Sequence, residues 1–119
     1  MLKKQTSKMN GSGIFSTVFI RRNCSFYEIP LETLYKTPKS KCARIGERMF
    51  VCDPKILNWV NHSCNPNSKI ELFPPLLQSI REILPNEEIT VDYNKTELPN
   101  KKVKCNCGEK NCRGYFYIT

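Results

Sequence analysis

The first thirteen residues are mostly polar and close on Gly11-Ser12-Gly13. The run IFSTVFIRR (14–22) then gathers β-branched and aromatic side chains, which predicts a strand. From Cys24 to Arg48 the apolar positions follow no period, and two prolines and several lysines interrupt them. Irregular chain with at most one short helix or strand is expected there. MFVC (49–52) predicts a short apolar strand. Asp53-Pro54 sets an N-cap residue before the residue type favoured at the first helical position. KILNWV (55–60) therefore predicts a helix of barely two turns, stopped by Asn61 and Pro66.

KIELF (69–73) predicts a strand that Pro74-Pro75 ends. LLQSIREIL (76–84) is ambiguous: Leu76, Leu77, Ile80, Ile83 and Leu84 fit helical spacing. Pro85-Asn86 predicts a turn. EITVDY (88–93) alternates, with Ile89, Val91 and Tyr93 on one face and Thr90 and Asp92 on the other. The tail from Lys101 is rich in cysteine and ends in YFYI. No repeat or low-complexity segment is present, and 119 residues suit one domain.

No apolar run approaches the ~18 residues of a membrane span. The start carries lysines but no apolar h-region, so neither a signal peptide nor a membrane partner is expected. The net charge of +8 fits an acidic or polyanionic neighbour, or solubility alone. The basic residues are dispersed, with clusters only at Lys36–Lys41 and Lys101–Lys104. Seven cysteines, an odd number without a secretion signal, predict reduced thiols in an intracellular compartment and no disulfide framework.

Three of those cysteines, Cys105, Cys107 and Cys112, fall within CNCGEKNC (105–112), where Gly108 eases a tight turn. A tetrahedral zinc site takes about four thiolate or imidazole ligands. Three are local; the fourth is one of Cys24, Cys42, Cys52, Cys64 or His62. Gly11-x-Gly13 by itself reads as a flexible turn before a strand, because a dinucleotide fingerprint needs a third glycine and a βαβ unit. His62, the only histidine, sits in NHSCNPN (61–67) with no carboxylate or nucleophile beside it, and reads as structural.

In chain order, Gly11-Ser12-Gly13-Ile14-Phe15, NHSCNPN, NEEITVDY (86–93) and CNCGEKNCRG (105–114) resemble the SET-domain protein lysine methyltransferases with their post-SET zinc tail. NHSCxPN and C-x-C-x4-C-R-G match completely. In G-E-E-hydrophobic-T-x-D-Y, Asn86 stands where glycine is usual, and Asn also accepts a left-handed turn. The resemblance covers residues 8–22 and about 49–119. It implies a β-rich α+β fold of short sheets, with the NHSC segment threaded as a pseudoknot. It divides the chain into a SET domain (1–98) and a post-SET tail (99–119), and places a strand near Leu77–Arg81.

The resemblance also implies roles. Gly11, Ser12, Gly13, Ile14, Phe15, Asn61, His62, Tyr93, Tyr115 and Phe116 would bind S-adenosylmethionine, which leaves as S-adenosylhomocysteine. Tyr93 would be the catalytic residue, orienting methyl and amine, and Val91 would share the substrate channel with it. Val is smaller than Phe or Tyr and has no hydroxyl to hold a water, so di- or trimethyl-lysine is the expected product. Cys64, Cys105, Cys107 and Cys112 would hold one zinc, leaving Cys24, Cys42 and Cys52 as core or incidental residues. The implied activity is lysine N-methylation of a protein with an exposed lysine, such as a histone tail or nucleosome in the chain's own or a host's nucleus. A catalytically silent SET domain, or a basic zinc module that contacts a partner or nucleic acid, would share the charge and the cysteines.

Overall fold

The computed structural model describes residues 1–9, 11–37, 43–46, 49–93 and 101–118. Among them, five small sheets replace any central one. Strands β1 (Leu2–Thr6) and β2 (Ser12–Ser16) form an antiparallel hairpin with Leu2 opposite Ser16. Gly11 closes its turn at φ +47°, in the left-handed region. The polar start is thus a strand: β1 covers only one side of β2, so little of it needs to be apolar. The strand expected over 14–22 ends early. Ser16 Oγ donates to the carbonyl of Val18 (2.5 Å) and accepts from its N–H (3.2 Å), turning the chain, and Val18 and Phe19 are exposed.

The described residues of segment 24–48 are far more regular than its composition predicts. It contributes β3 (Ser25–Glu28), a 3-10 turn (Leu31–Thr33), β4 (Leu34–Tyr35) and β5 (Ala43–Gly46). Both β4 and β5 pair with β6 (Met49–Val51), giving the order β4-β6-β5. β3 pairs with a strand fifty residues away, which no local period can announce. Cys52, just beyond β6, is disulfide-bonded, against the expectation of reduced thiols throughout. Cys24 is a free thiol packed against the core, and Cys42 lies outside the described residues.

The helix expected over 55–60 is reduced to a 3-10 turn, Leu57–Trp59. Asp53 is not its N-cap residue, which is Ile56; the Asp53 carboxylate instead holds the preceding turn, Oδ1 accepting from the Lys55 N–H (3.3 Å) and Oδ2 from the Leu57 N–H (3.1 Å). The Tyr27 hydroxyl also donates to Asp53, which is how a buried carboxylate without a cation is satisfied. The turn stops because Val60 must be extended to enter β7 (Asn61–His62).

LLQSIREIL is not helical. Its first half is β9 (Leu76–Ser79), held between β3 and β8 (Ser68–Glu71). Leu77 and Ser79 are fully buried, and pairing on both edges overrides the helical period. Asn86 sits at φ +69° in the expected turn. β10 (Thr90–Val91) then runs parallel to β7, pairing Thr90 with Asn61 and Val91 with His62. Thr90 is buried as well as Ile89 and Val91, so neither face of this strand is a solvent face. The core beneath includes Ile14, Val51, Leu57, Leu77, Ile83 and Ile89. The tail folds as a separate hairpin of β11 (Lys101–Lys104) and β12 (Tyr115–Ile118).

One buried side chain ties these parts together. Asn67, 1% exposed, donates through Nδ2 to the Glu88 carbonyl (2.7 Å) and to Glu87 Oε2 (2.8 Å). Its Oδ1 accepts from the Thr90 N–H and from Ser68 Oγ, both at 3.0 Å. Asn67→Ala is expected to lower unfolding free energy by about 3 kcal/mol, because it strands a buried N–H and a carbonyl together. Urea denaturation followed by circular dichroism checks this; a loss below about 1 kcal/mol would contradict it.

Candidate active site and metal centre

The parallel β7–β10 pair brings two distant motifs side by side, and the tail hairpin closes over them. Tyr93, just past β10, donates its backbone N–H to His62 Nδ1 (2.9 Å). Its hydroxyl donates to the Val60 carbonyl (2.6 Å). Phe116 of β12 stacks on His62 with ring centroids 4.6 Å apart and meets Tyr93 edge-on at 5.2 Å. Three aromatic rings from three separate segments thus fix one another.

His62 is buried, and burial pushes its pKa down to about 4; Arg113 adds to the depression and Asp92 opposes it. The ring is neutral at pH 7. Since Nδ1 accepts from Tyr93, its proton sits on Nε2, which lies 3.5 Å from Cys64 Sγ. One imidazole therefore spans from the Tyr93 backbone to the cysteine cluster. Asp92 reinforces the junction through an ion pair with Arg113 of the tail (2.8 Å).

A cleft opens between β7, β10 and the tail. Asn61, His62, Tyr93 and Phe116 line it, together with Met9, Val103, Lys104 and Asn106. None of the last four was a candidate from the sequence, and only Asn106 falls inside one of its motifs. Of the remaining sequence candidates, Gly13 and Ile14 are buried within β2, Gly11 forms the hairpin turn, and Phe15 bridges to Glu88. Ser12 offers its carbonyl to Asn61 Nδ2 (3.1 Å). Tyr115 turns to the other face of β12, under Lys102 Nζ at 4.1 Å. Val91 is 5% exposed and belongs to the core. Glu88 also escaped sequence reading, although it accepts from both Ser7 Oγ and Asn61 Nδ2. The doubled acidic residue before the alternating run was the available signal.

The four sulfurs of Cys64, Cys105, Cys107 and Cys112 lie within 4.8 Å of one another, and Cys64 and Cys105 are 3.9 Å apart. Tetrahedral zinc at Zn–S of about 2.3 Å needs sulfurs about 3.8 Å apart, so the set fits the ion. Backbone N–H groups of Arg113 and Gly114 point at Cys64 Sγ (3.4 Å) and Cys112 Sγ (3.3 Å), as donors to thiolates should. Burial resists ionisation of Cys107, but N–H donors from Cys64 and Glu109 outweigh it and bring the thiol to about 7. Burial pushes Cys105 well up, a penalty that a bound cation would offset. The purified protein is expected to carry about one zinc per chain by elemental analysis, and Cys64→Ser to lose it and loosen the tail to proteolysis. A zinc content unchanged by Cys64→Ser would remove that cysteine from the ligand set.

Residues 11–94 match the family model of the SET domain. The chain is similar over 92% of its length, at 29% identity, to the histone-lysine N-methyltransferase trithorax of Drosophila virilis. Over 52% of its length it is 38% identical to the H3 lysine-9 specific histone-lysine N-methyltransferase SUVH1 of Nicotiana tabacum. It spans 3% and 10% of those two proteins. Its fold is that of KRYPTONITE in a crystal with mCHG DNA and SAH: TM-score 0.74, 22% identity, covering 98% of this chain and 29% of the other. The methyltransferase domain of human SETMAR superposes with TM-score 0.68 at 20% identity, covering 98% and 58%. With the SET model matching most of the chain, Asn61, His62 and Tyr93 of the cleft included, this protein belongs to the SET-domain family.

Proposed function

We propose that this chain is an S-adenosylmethionine-dependent protein lysine N-methyltransferase acting on a histone or another lysine-rich protein in chromatin. The observation that carries the reading is the convergence of Asn61, His62, Tyr93 and Phe116 on one cleft beside a four-thiolate cluster. Two further facts support it. The similar proteins above are histone-lysine methyltransferases. KRYPTONITE has also been crystallised with SAH and an H3(1–15) peptide.

In this reading residues 1–98 are the catalytic body and 99–119 the zinc-held tail that roofs the cofactor. Asn61 and the His62 and Phe116 rings hold the cofactor, and the Gly11–Phe15 segment backs them. When bound, S-adenosylmethionine supplies a sulfonium methyl to the lysine amine and leaves as S-adenosylhomocysteine. The amine must first lose a proton, from a pKa of about 10.4 in water; desolvation in a narrow channel favours that loss. His62 cannot accept the proton, since Nδ1 is taken by the Tyr93 N–H and Nε2 already carries hydrogen. Tyr93, with its hydroxyl proton aimed at Val60, turns phenol oxygen toward the reacting groups and works by alignment. Val91 packs in the core and does not line the cleft; in this reading its small side chain, two residues before Tyr93, leaves room for a methylated amine.

Tyr93→Phe is expected to cut radiolabelled methyl transfer to histones about 100-fold while calorimetry shows little change in S-adenosylhomocysteine affinity. A wild-type chain that binds the cofactor yet methylates neither histones nor whole-lysate protein would mean a silent SET domain. By mass spectrometry, Val91→Tyr should shift product toward monomethyl-lysine, at a cost of about 1–3 kcal/mol for overpacking the core. A natural enzyme that stops at one methyl would contradict the assignment of Val91.

A further inference from the structure

Glu88 lies outside the cleft lining, yet two cleft residues are tethered to its carboxylate. Asn61 Nδ2 donates to Oε2 at 2.8 Å, and its other hydrogen goes to the Ser12 carbonyl at 3.1 Å. Both hydrogens of that amide are thereby directed backward, so its orientation is set by these acceptors. On the other oxygen, the buried Ser7 hydroxyl donates to Oε1 at 2.7 Å and in turn accepts the Met9 N–H at 3.0 Å. Met9 also lines the cleft. The Glu88 backbone is itself fixed, because Phe15 bridges to it and the Ile89 N–H donates to the Ile14 carbonyl (2.8 Å).

The space this carboxylate fills is the space a side chain at Gly13 would need. A Cβ built on Gly13 would lie 2.3 Å from Glu88 Oε2, 2.8 Å from its carboxyl carbon and 3.2 Å from Ser7 Cβ. Gly13 has no positive φ to explain its being glycine. Its role is to make room for an acceptor. The end of a glutamate is normally free to swing away from such a clash, but here two hydrogen bonds would break if it did.

We infer that Glu88 is the positioning residue of the cofactor cleft: its carboxylate orients Asn61 and, through Ser7, Met9, and residue 13 is glycine because that carboxylate occupies its side-chain space. This rests on the reading of the cleft as a cofactor site. A negative acceptor makes stronger hydrogen bonds than a neutral one, which suits an anchor for two lining residues at once.

Calorimetry with S-adenosylhomocysteine tests it. Glu88→Ala should raise Kd about tenfold or more. Glu88→Gln should lose less, because its amide oxygen can still accept from Asn61 while its NH2 turns to Ser7. Gly13→Ala should resemble Glu88→Ala, and the double variant should be no worse than Glu88→Ala alone. In an Asn61→Ala background most of the Glu88→Ala loss should vanish. A general loss of packing would instead multiply through both cycles, and that result overturns the inference. A wild-type chain with no affinity for the cofactor would overturn the functional reading on its own. The positioning role is then decided by the Asn61 side-chain amide resonances of the free protein. Glu88→Ala and Gly13→Ala must both move them; unmoved resonances sink the proposal.

Discussion

The site depends on two residue pairs. Thr90 lies beside Asn61 and Val91 beside His62, in a parallel ladder only two residues long. So short a ladder is weak by itself, and parallel strands need a long crossover to meet at all. It is held by what surrounds it. Asn67 carries four hydrogen bonds, two of them to backbone groups of the partner segment, and Ile89 and Val91 anchor that segment in the core. Without this pairing the Asn61-His62 segment and Tyr93 would have no shared frame.

From that junction the order passes outward through polar side chains. His62 joins Tyr93 on one nitrogen and faces Cys64 on the other. Arg113 donates its backbone N–H toward Cys64 and its guanidinium to Asp92. The tail, none of whose described residues joins the hydrophobic core cluster, is therefore attached through a cysteine cluster and an ion pair. Metal ligation suits that role, since it ties distant segments at little cost in buried area. The half-exposed Arg113–Asp92 pair adds registry more than energy.

The five small sheets have a further consequence. No single sheet orders the site; each wall comes from a different one. The N-terminal hairpin supplies Met9 and, through Ser12 and Gly13, the backing of Asn61. The tail hairpin supplies Phe116 and Val103. Such a cleft is assembled by contacts between segments, and a carboxylate such as Glu88, which touches several at once, has more leverage than its place in the sequence suggests.

The sequence by itself determined the motifs and the local breaks. Gly11, Asn86 and Gly108 mark left-handed turns because few other residues adopt that backbone. Asp53 announces a turn held by its carboxylate, and the spacing of three tail cysteines announces a set of metal ligands. NHSC and the Asp92-Tyr93 end of β10 are legible through resemblance, which stands in for contacts that local pattern cannot reveal. Tertiary structure alone decided the rest. It made LLQS a strand against its helical period, cut the helix after Asp53 to one turn, and found partners for β1, β3, β4 and β5. It also set Glu88 into the space left by Gly13. In each case the deciding term is pairing or burial between residues far apart in the chain. Over windows this short, that term outweighs intrinsic propensity.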